Sequence, residues 1–272
     1  MQLDDITPII LTYNEEPNIA RVLARLAWAK DVVVVDSLSS DRTVEIVRTF
    51  ANARLLQRRF DSHDRQWSYA VRETGVRSEW VLTLDADYVL SDAFVGEMAM
   101  LSPDSAVAGY EAQFRYCILG RSLRRSLYPG RVVLFRRERG AFYQDGHTQR
   151  VQVDGLVRPL RAHIDLDDRK SIRHWILSQD RYALLERNKL LAAEPHRLGL
   201  ADRLRARRAI APVAVLLYCL FAKRMIFEGL PGWHYTYQRV AAEILLSLYL
   251  IEHRLGSSAS GNLDRSVLAD GT

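Results

Sequence analysis

Cysteine is nearly absent from this chain, with two in 272 residues. Cys117 and Cys219 both lie in apolar surroundings. They read as small buried hydrophobes, which excludes a disulfide framework and a thiolate metal site. Lysine is scarce too, since the 38 basic residues are overwhelmingly arginine. No Gly-x-Gly-x-x-Gly follows the first apolar run, which argues against a dinucleotide cofactor. No helix-turn-helix, zinc-finger or RNP-like pattern accompanies the formal charge of +5. The charge therefore suits phosphates or an anionic membrane surface and predicts no nucleic-acid partner. Met1 to Asp5 carries neither a basic segment nor a long apolar one, so the sequence predicts no signal peptide and a cytoplasmic location. Internal repeats and low-complexity tracts are missing as well.

What is present is a set of apolar runs cut off abruptly by polar residues. Thr7 to Thr12 reads as a first buried strand, and Val32 to Val35 as a second that stops at Asp36. A weak strand lies at Arg54 to Leu56, and a strong one runs from Trp80 to Leu84 into Asp85-Ala86-Asp87. Helical patterns over 19–28, around 44–50 and over 66–75 separate them, with Asn18 placed to cap the first and Ser40 or Asp41 the second. Strands and helices that alternate in this way predict an α/β fold with a parallel sheet and helices on both faces. The loops bearing Tyr13, Asp36 and Asp85 then share the carboxyl edge, where such sheets bind ligands.

Asp85 and Asp87 sit at i and i+2 of an extended segment and should point the same way. Two carboxylates so placed repel unless a cation lies beside them. Mg²⁺ suits that role, being held by one or two carboxylates plus substrate phosphates. A polar turn after a strand is the plainer reading of the same pair.

Later stretches carry other signals. Ala106 to Ile118, Arg131 to Phe135 and Val157 to Ala162 read as strands. His163 follows, a lone histidine best read as structural. Asp165 to Asp168 forms an acidic cluster ahead of a long amphipathic helix over 171–191, with Trp175, Tyr182 and Leu185 on one side. Past Glu194 the composition shifts. Arg203, Arg205, Arg207 and Arg208 precede an apolar run to Ala222, shorter than the roughly 20 residues that span a bilayer. Lys223 and Arg224 close it, Trp233, Tyr235 and Tyr237 follow, and a second apolar helix covers 237–251. Basic residues beside short apolar helices predict a monotopic membrane contact, with helices that pack on the domain or form a dimer as the alternative. A Ser- and Gly-rich tail from Gly256 predicts disorder.

The combination Thr12-Tyr13-Asn14-Glu15, then Val34-Val35-Asp36-Ser37-Leu38-Ser39-Ser40-Asp41-Arg42-Thr43, then Leu84-Asp85-Ala86-Asp87 resembles the family 2 glycosyltransferases over roughly residues 6–190. Within that family it is most similar to the group containing the lipopolysaccharide core β-1,4-glucosyltransferases. The resemblance implies a GT-A fold, Rossmann-like with a mostly parallel central sheet and flanking helices, plus a C-terminal helical appendage. It implies a nucleotide-diphosphate sugar donor and inversion at the anomeric carbon. Tyr13 would pack against the base, Glu15 would lie near the ribose or base, and Asp36 would accept a hydrogen bond that favours uracil, hence a UDP-sugar. Arg65, with Gln66, would approach the nucleotide. Asp85 would touch ribose or bound water, and Asp87 with Asp85 would hold Mg²⁺ or Mn²⁺. Three positions depart from the family pattern: Ser68 stands where the family has asparagine, Tyr88 where it often has a third acid, and Thr148 after His147 where relatives have glutamate. The Gln-x-x-Arg-Trp string of processive members is missing, which disfavours chain polymerisation.

An inverting transfer needs a base within reach of the acceptor hydroxyl. Gly140 to Arg150 is dense in proton-transferring groups. Asp145 is the candidate base with His147 beside it, and Arg150 either meets the diphosphate or faces water; a Gly-containing turn with a structural histidine is the alternative. The expected layout is a catalytic domain over 1–192, a helical, membrane-associated appendage over 193–255 and a disordered tail over 256–272. The expected activity is transfer of one sugar to a lipid-linked or envelope glycan acceptor at the inner face of the cytoplasmic membrane. A polyprenyl-phosphate glycosyltransferase and an inactive nucleotide-sugar-binding scaffold are the alternatives.

Overall fold

Uninterrupted valine and isoleucine runs enter strands because branched side chains fill a sheet covered on both faces. The structure, a computed structural model, describes the chain except residues 146, 147, 195, 197, 208, 209 and 270–272, and omits the side chains of 144–149 and 257–272. Two compact units result, Met1–Lys170 and Ser171–Thr272.

In the first unit the strands are β1 (Ile6–Thr12), β2 (Val32–Asp36), β3 (Ala53–Gln57), β4 (Trp80–Asp85), β5 (Tyr88–Leu90), β6 (Val107–Ile118), β7 (Arg121–Ser122), β8 (Arg131–Arg136), β9 (Gly140–Asp145), β10 (Thr148–Val153) and β11 (Leu156–Leu166). The helices between them are α1 (Ile19–Ala24), α2 (Thr43–Val47), α3 (His63–Arg72) and α4 (Asp92–Met100). The main sheet runs β3-β2-β1-β4-β8-β6-β11-β5, with β7 on β6, while β9 and β10 form a separate hairpin. The first four strands are mutually parallel, as expected of a GT-A fold. Beyond β4 the sheet becomes mixed: β8 is antiparallel to β4 and β6, β11 is parallel to β6, and β5 is antiparallel to β11.

Alternate residues of each strand serve opposite faces. Ile10, Val32, Val34, Leu82 and Leu84 pack with Ile19, Val22 and Leu23 of α1 and Phe94 and Met98 of α4. Ile9, Val33, Val35 and Val81 pack with Trp67, Ala70 and Val71 of α3. Both cysteines are free and buried.

The second unit holds α5 (Ile172–Ala192), α6 (Leu200–Ala206), α7 (Ile210–Leu217) and α8 (Gly229–Ala269). The expected boundary at 192 does not coincide with the division at Lys170, because Ala183 and Leu190 of α5 pack with Leu246 and Leu250 of α8. That face also differs from the expected one: Leu185 is exposed, and Ala183, Glu186 and Leu190 are buried. Ser171 caps α5, accepting from the His174 N–H at 3.3 Å. The helix α8 continues past Gly256, where composition predicts disorder. No single helix among the described residues is long and apolar enough to cross a membrane, but the bent pair Ile210–Ala222 and Met225–Gly256, 66° apart, has the length and composition to do so together.

Candidate active site

Parallel pairing carries the expected residues to one edge. Thr12 lies opposite Asp36, and Leu11 lies opposite Asp85. Tyr13 follows directly and is exposed. The loops after β1 and β2 interlock: Asn14 N–H donates to Ser39 Oγ at 2.8 Å, Ser40 N–H to Asn14 Oδ1 at 2.8 Å, and Glu15 N–H to Thr43 Oγ1 at 2.7 Å. Asn14 and Leu38 take left-handed backbone conformations at φ 52° and 63°. Asparagine tolerates this and leucine does not, so the second loop holds strain.

Asp36 restrains it. The carboxylate is fully buried and accepts from Thr12 Oγ1 at 3.1 Å, the Ser39 N–H at 2.9 Å, the Ser39 hydroxyl and Gln57 Nε2 at 3.2 Å. A carboxylate offers about four lone-pair sites, and four donors occupy them. The expected bond from Asp36 to a base therefore requires one of these donors to leave.

Asp85 ends β4, but Asp87 falls in the turn before β5. The pair is thus not an extended i, i+2 set on one strand. Their charges still act on one another. Burial, then Asp85, Glu15 and Asp168, raise the Asp87 pKa well above the ordinary carboxylate range, against the lowering effect of Lys170. Among the described residues, no hydrogen-bond donor meets either carboxylate. Nor do three His, Cys, Asp or Glu side chains gather there as a metal cage. This donor set, two carboxylates without protein donors, fits a hard divalent ion completed by phosphate oxygens and water.

Next to the pair lies a network that local sequence does not reveal. Asn18, expected to cap α1, makes no side-chain cap. It is fully buried and donates to Glu15 Oε2 at 2.9 Å and Asp168 Oδ1 at 2.8 Å, while its Oδ1 accepts from Arg21 and from the Arg169 N–H, each at 2.8 Å. Lys170 Nζ donates to Glu15 Oε1 at 2.5 Å. Burial, only partly offset by Lys170 and Asn18, raises the Glu15 pKa. Asp167 instead binds Arg21 and Arg169.

Other expected residues fall elsewhere. Arg65 lies on α3 with 73% of its side chain exposed and pairs with Asp61 at 3.9 Å. Its neighbour in space, Arg58, is better placed: it follows β3, donates to Gln66 Oε1, pairs with Asp61 and lies 5.3 Å over the Tyr69 ring. Gln66 is buried and donates to Ser37 Oγ at 3.2 Å. Tyr88 occupies the position of the missing third acid. Its hydroxyl hydrogen-bonds that of Tyr128, and Arg131 lies 5.1 Å over the Tyr128 ring. His163 is exposed on β11. Asp145 closes β9, but its side chain and all of His147 lie outside the described residues. Arg150 is exposed on β10, opposite Tyr143. A cavity of about 380 Å³ lies away from all of these, lined by Arg77, Glu79, Arg136 and Arg139 at the start of β4 and the end of β8.

The family model described as Glycosyl transferase family 2 matches residues 7–151. An uncharacterized glycosyltransferase of Rickettsia typhi is 36% identical over 94 residues, 34% of this chain and 31% of the relative. One from Rickettsia prowazekii is 35% identical over 94 residues with the same coverage. The matched segment thus spans about a third of the length of these curated relatives. Among solved structures, S. aureus TarS 1–349 with UDP-GlcNAc is similar at 16% identity and a TM-score of 0.43, over 94% of this chain and 92% of that one. Glucosyl-3-phosphoglycerate synthase from Mycobacterium tuberculosis, in complex with Mn²⁺, UDP and phosphoglyceric acid, aligns at 13% identity and a TM-score of 0.41, over 66% of this chain and 76% of that one.

Proposed function

Because the chain belongs to glycosyl transferase family 2, we propose that it moves one sugar from a nucleotide-diphosphate sugar, UDP-linked by preference, to a lipid-linked or envelope glycan acceptor with inversion. The observation that carries this reading is the carboxyl edge of β1, β2 and β4, where Thr12 lies opposite Asp36 and Leu11 opposite Asp85, with Tyr13 and Asp87 following just after β1 and β4. Tyr13 covers the base. Asp36 turns to the base by exchanging one of its four protein donors. Asp85 and Asp87 would hold Mg²⁺ or Mn²⁺, whose charge would offset that of the departing diphosphate. Asp145 takes the proton from the acceptor hydroxyl, with His147 as its neighbour and Arg150 toward the diphosphate. The acceptor oxygen forms its bond to the anomeric carbon from the face opposite the diphosphate, and the carbon–phosphate-oxygen bond breaks with its electron pair leaving on the diphosphate.

In this reading the enzyme works at the inner face of the cytoplasmic membrane, and the second unit supplies a peripheral contact. The feature that supports it is an apolar elbow. The α7 helix runs into a wide turn at Tyr218–Ala222, the chain reverses at Arg224 with φ 57°, and Met225–Glu228 leads into α8. Phe221 is 64% exposed, and Phe227 and Leu230 are each 81% exposed. Lys223 and Arg224 stand among them, a pairing suited to anionic headgroups. Tyr235, expected at the interface, is buried under Arg239, whereas Tyr237 is exposed.

Calorimetric titration of UDP, GDP and dTDP with and without Mn²⁺ tests the donor assignment on wild type and Asp87→Ala. Metal-dependent UDP binding should fall at least tenfold in the variant. Well-folded wild type that binds no nucleotide under any condition would overturn the transferase reading.

A further inference from the structure

Lys170 is one of the few lysines in an arginine-rich chain, and it occupies a place where a guanidinium would not serve equally. An ammonium is a compact charge on a flexible stem, whereas arginine brings a rigid fork. The Nζ of Lys170 lies 2.5 Å from Glu15 Oε1, and the two side chains are only 15% and 13% exposed. Asn18 bridges Glu15 to Asp168, and Asp168 accepts from the backbone N–H of Lys170 at 2.9 Å. The turn that carries Asp87 lies against the same segment: the Asp167 N–H donates to the Asp87 carbonyl at 3.0 Å, and Leu166 pairs with Tyr88. Burial lowers the Lys170 pKa, but Glu15, Asp168 and Asp87 together outweigh it, so the amine stays charged. The nearby arginines do not share this task, since Arg21 and Arg169 bind Asp167.

We propose that Lys170 is the resident cation of the donor site, balancing Glu15, Asp168 and Asp87 before a donor arrives and favouring a diphosphate once it does. This rests on the transferase reading. The ammonium repels a bare divalent ion and attracts a diphosphate. Metal therefore enters together with the nucleotide and not ahead of it. Lys170 is a charge-balancing residue and transfers no proton.

Two single substitutions distinguish this role from that of a brace. Lys170→Gln retains an N–H donor toward Glu15 while removing the positive charge. Glu15→Gln retains an acceptor toward Lys170 while removing the negative charge. Both break the same ion pair, so a brace predicts the same direction of change in each. Charge balance predicts opposite directions for Mn²⁺ titrated alone: about tenfold tighter in Lys170→Gln and weaker in Glu15→Gln, the size expected for one partly screened charge nearby. With Mn²⁺ saturating, UDP should bind about tenfold more weakly to Lys170→Gln, and Lys170→Arg should recover part of that loss. Parallel losses in Lys170→Gln and Glu15→Gln, with matching falls in melting temperature, would overturn the proposal while wild-type UDP binding left the transferase reading intact. Wild type that binds no UDP with any metal overturns both.

Discussion

Asp87 shows how a single residue can burden a fold for the sake of its site. Burial and the neighbouring Asp85, Glu15 and Asp168 raise its pKa well above normal. The folded chain therefore binds that proton more tightly than the unfolded chain does. The associated stability is present below the unfolded carboxylate pKa and is lost as pH rises through the higher folded value. A neutral isostere escapes the loss. Asp87→Asn should melt a few degrees above wild type at pH 7, with the gap narrowing as the pH is lowered toward 4, and it should lose metal-dependent UDP binding. Added Mn²⁺ with UDP should raise the wild-type melting temperature and leave the variant unmoved. Thermal melts across this pH range check the sign. Equal melting of the two proteins at every pH would show that the Asp87 charge costs the fold nothing. Asp36, also buried, differs in its partners, since four protein donors meet its carboxylate.

Among the elements, the two loops after β1 and β2 act as a unit because each satisfies backbone donors of the other. Asn14 contributes a left-handed backbone as well as its side-chain acceptor. Asn14→Ala loses both, whereas Asn14→Gly loses only the acceptor, so glycine should be the milder change by about 1 kcal/mol in denaturant unfolding. An equal cost would mean that the backbone conformation carries no strain. The strands feeding these loops were legible in the sequence. Val32 to Val35 and Trp80 to Leu84 have the composition of strands buried on both faces, and parallel order follows from the helices between them. Local pattern reached no further than local contacts. Asn18 looks like a helix cap, yet its side chain bonds Asp168, 150 residues away. Nothing near Lys170 in sequence announces Glu15, 155 residues distant. The sequence places Arg65 beside Gln66, but on α3 its side chain faces solvent, and Arg58, just after β3, takes the position against Gln66. Beyond β4 no helix intervenes between β6 and β8, which removes the constraint to parallel order and lets the sheet turn mixed.

For the whole molecule, the balance of charge and apolar surface decides what the second unit meets. A formal charge of +5 resists self-association and attracts anionic surfaces. Phe221, Phe227 and Leu230 offer apolar area that water does not favour, while Cys219 and Met225, both fully buried, anchor the elbow from within. Lys223 lies 5.8 Å over the Tyr218 ring, which keeps an ammonium beside the apolar tip. The proposed contact with a bilayer bearing anionic headgroups would satisfy both features at once: the aromatic and aliphatic tip would enter the acyl boundary and the cations would meet phosphates. The full-length protein should therefore co-float with vesicles containing phosphatidylglycerol more than with phosphatidylcholine alone, and rising salt should weaken the charged contribution first. Phe227→Glu combined with Leu230→Glu should abolish flotation while leaving UDP binding unchanged, since these residues belong to the second unit and the proposed nucleotide site draws on residues of the first. Wild type that stays off every vesicle while its mass doubles with concentration would instead assign the elbow to a second copy of the chain.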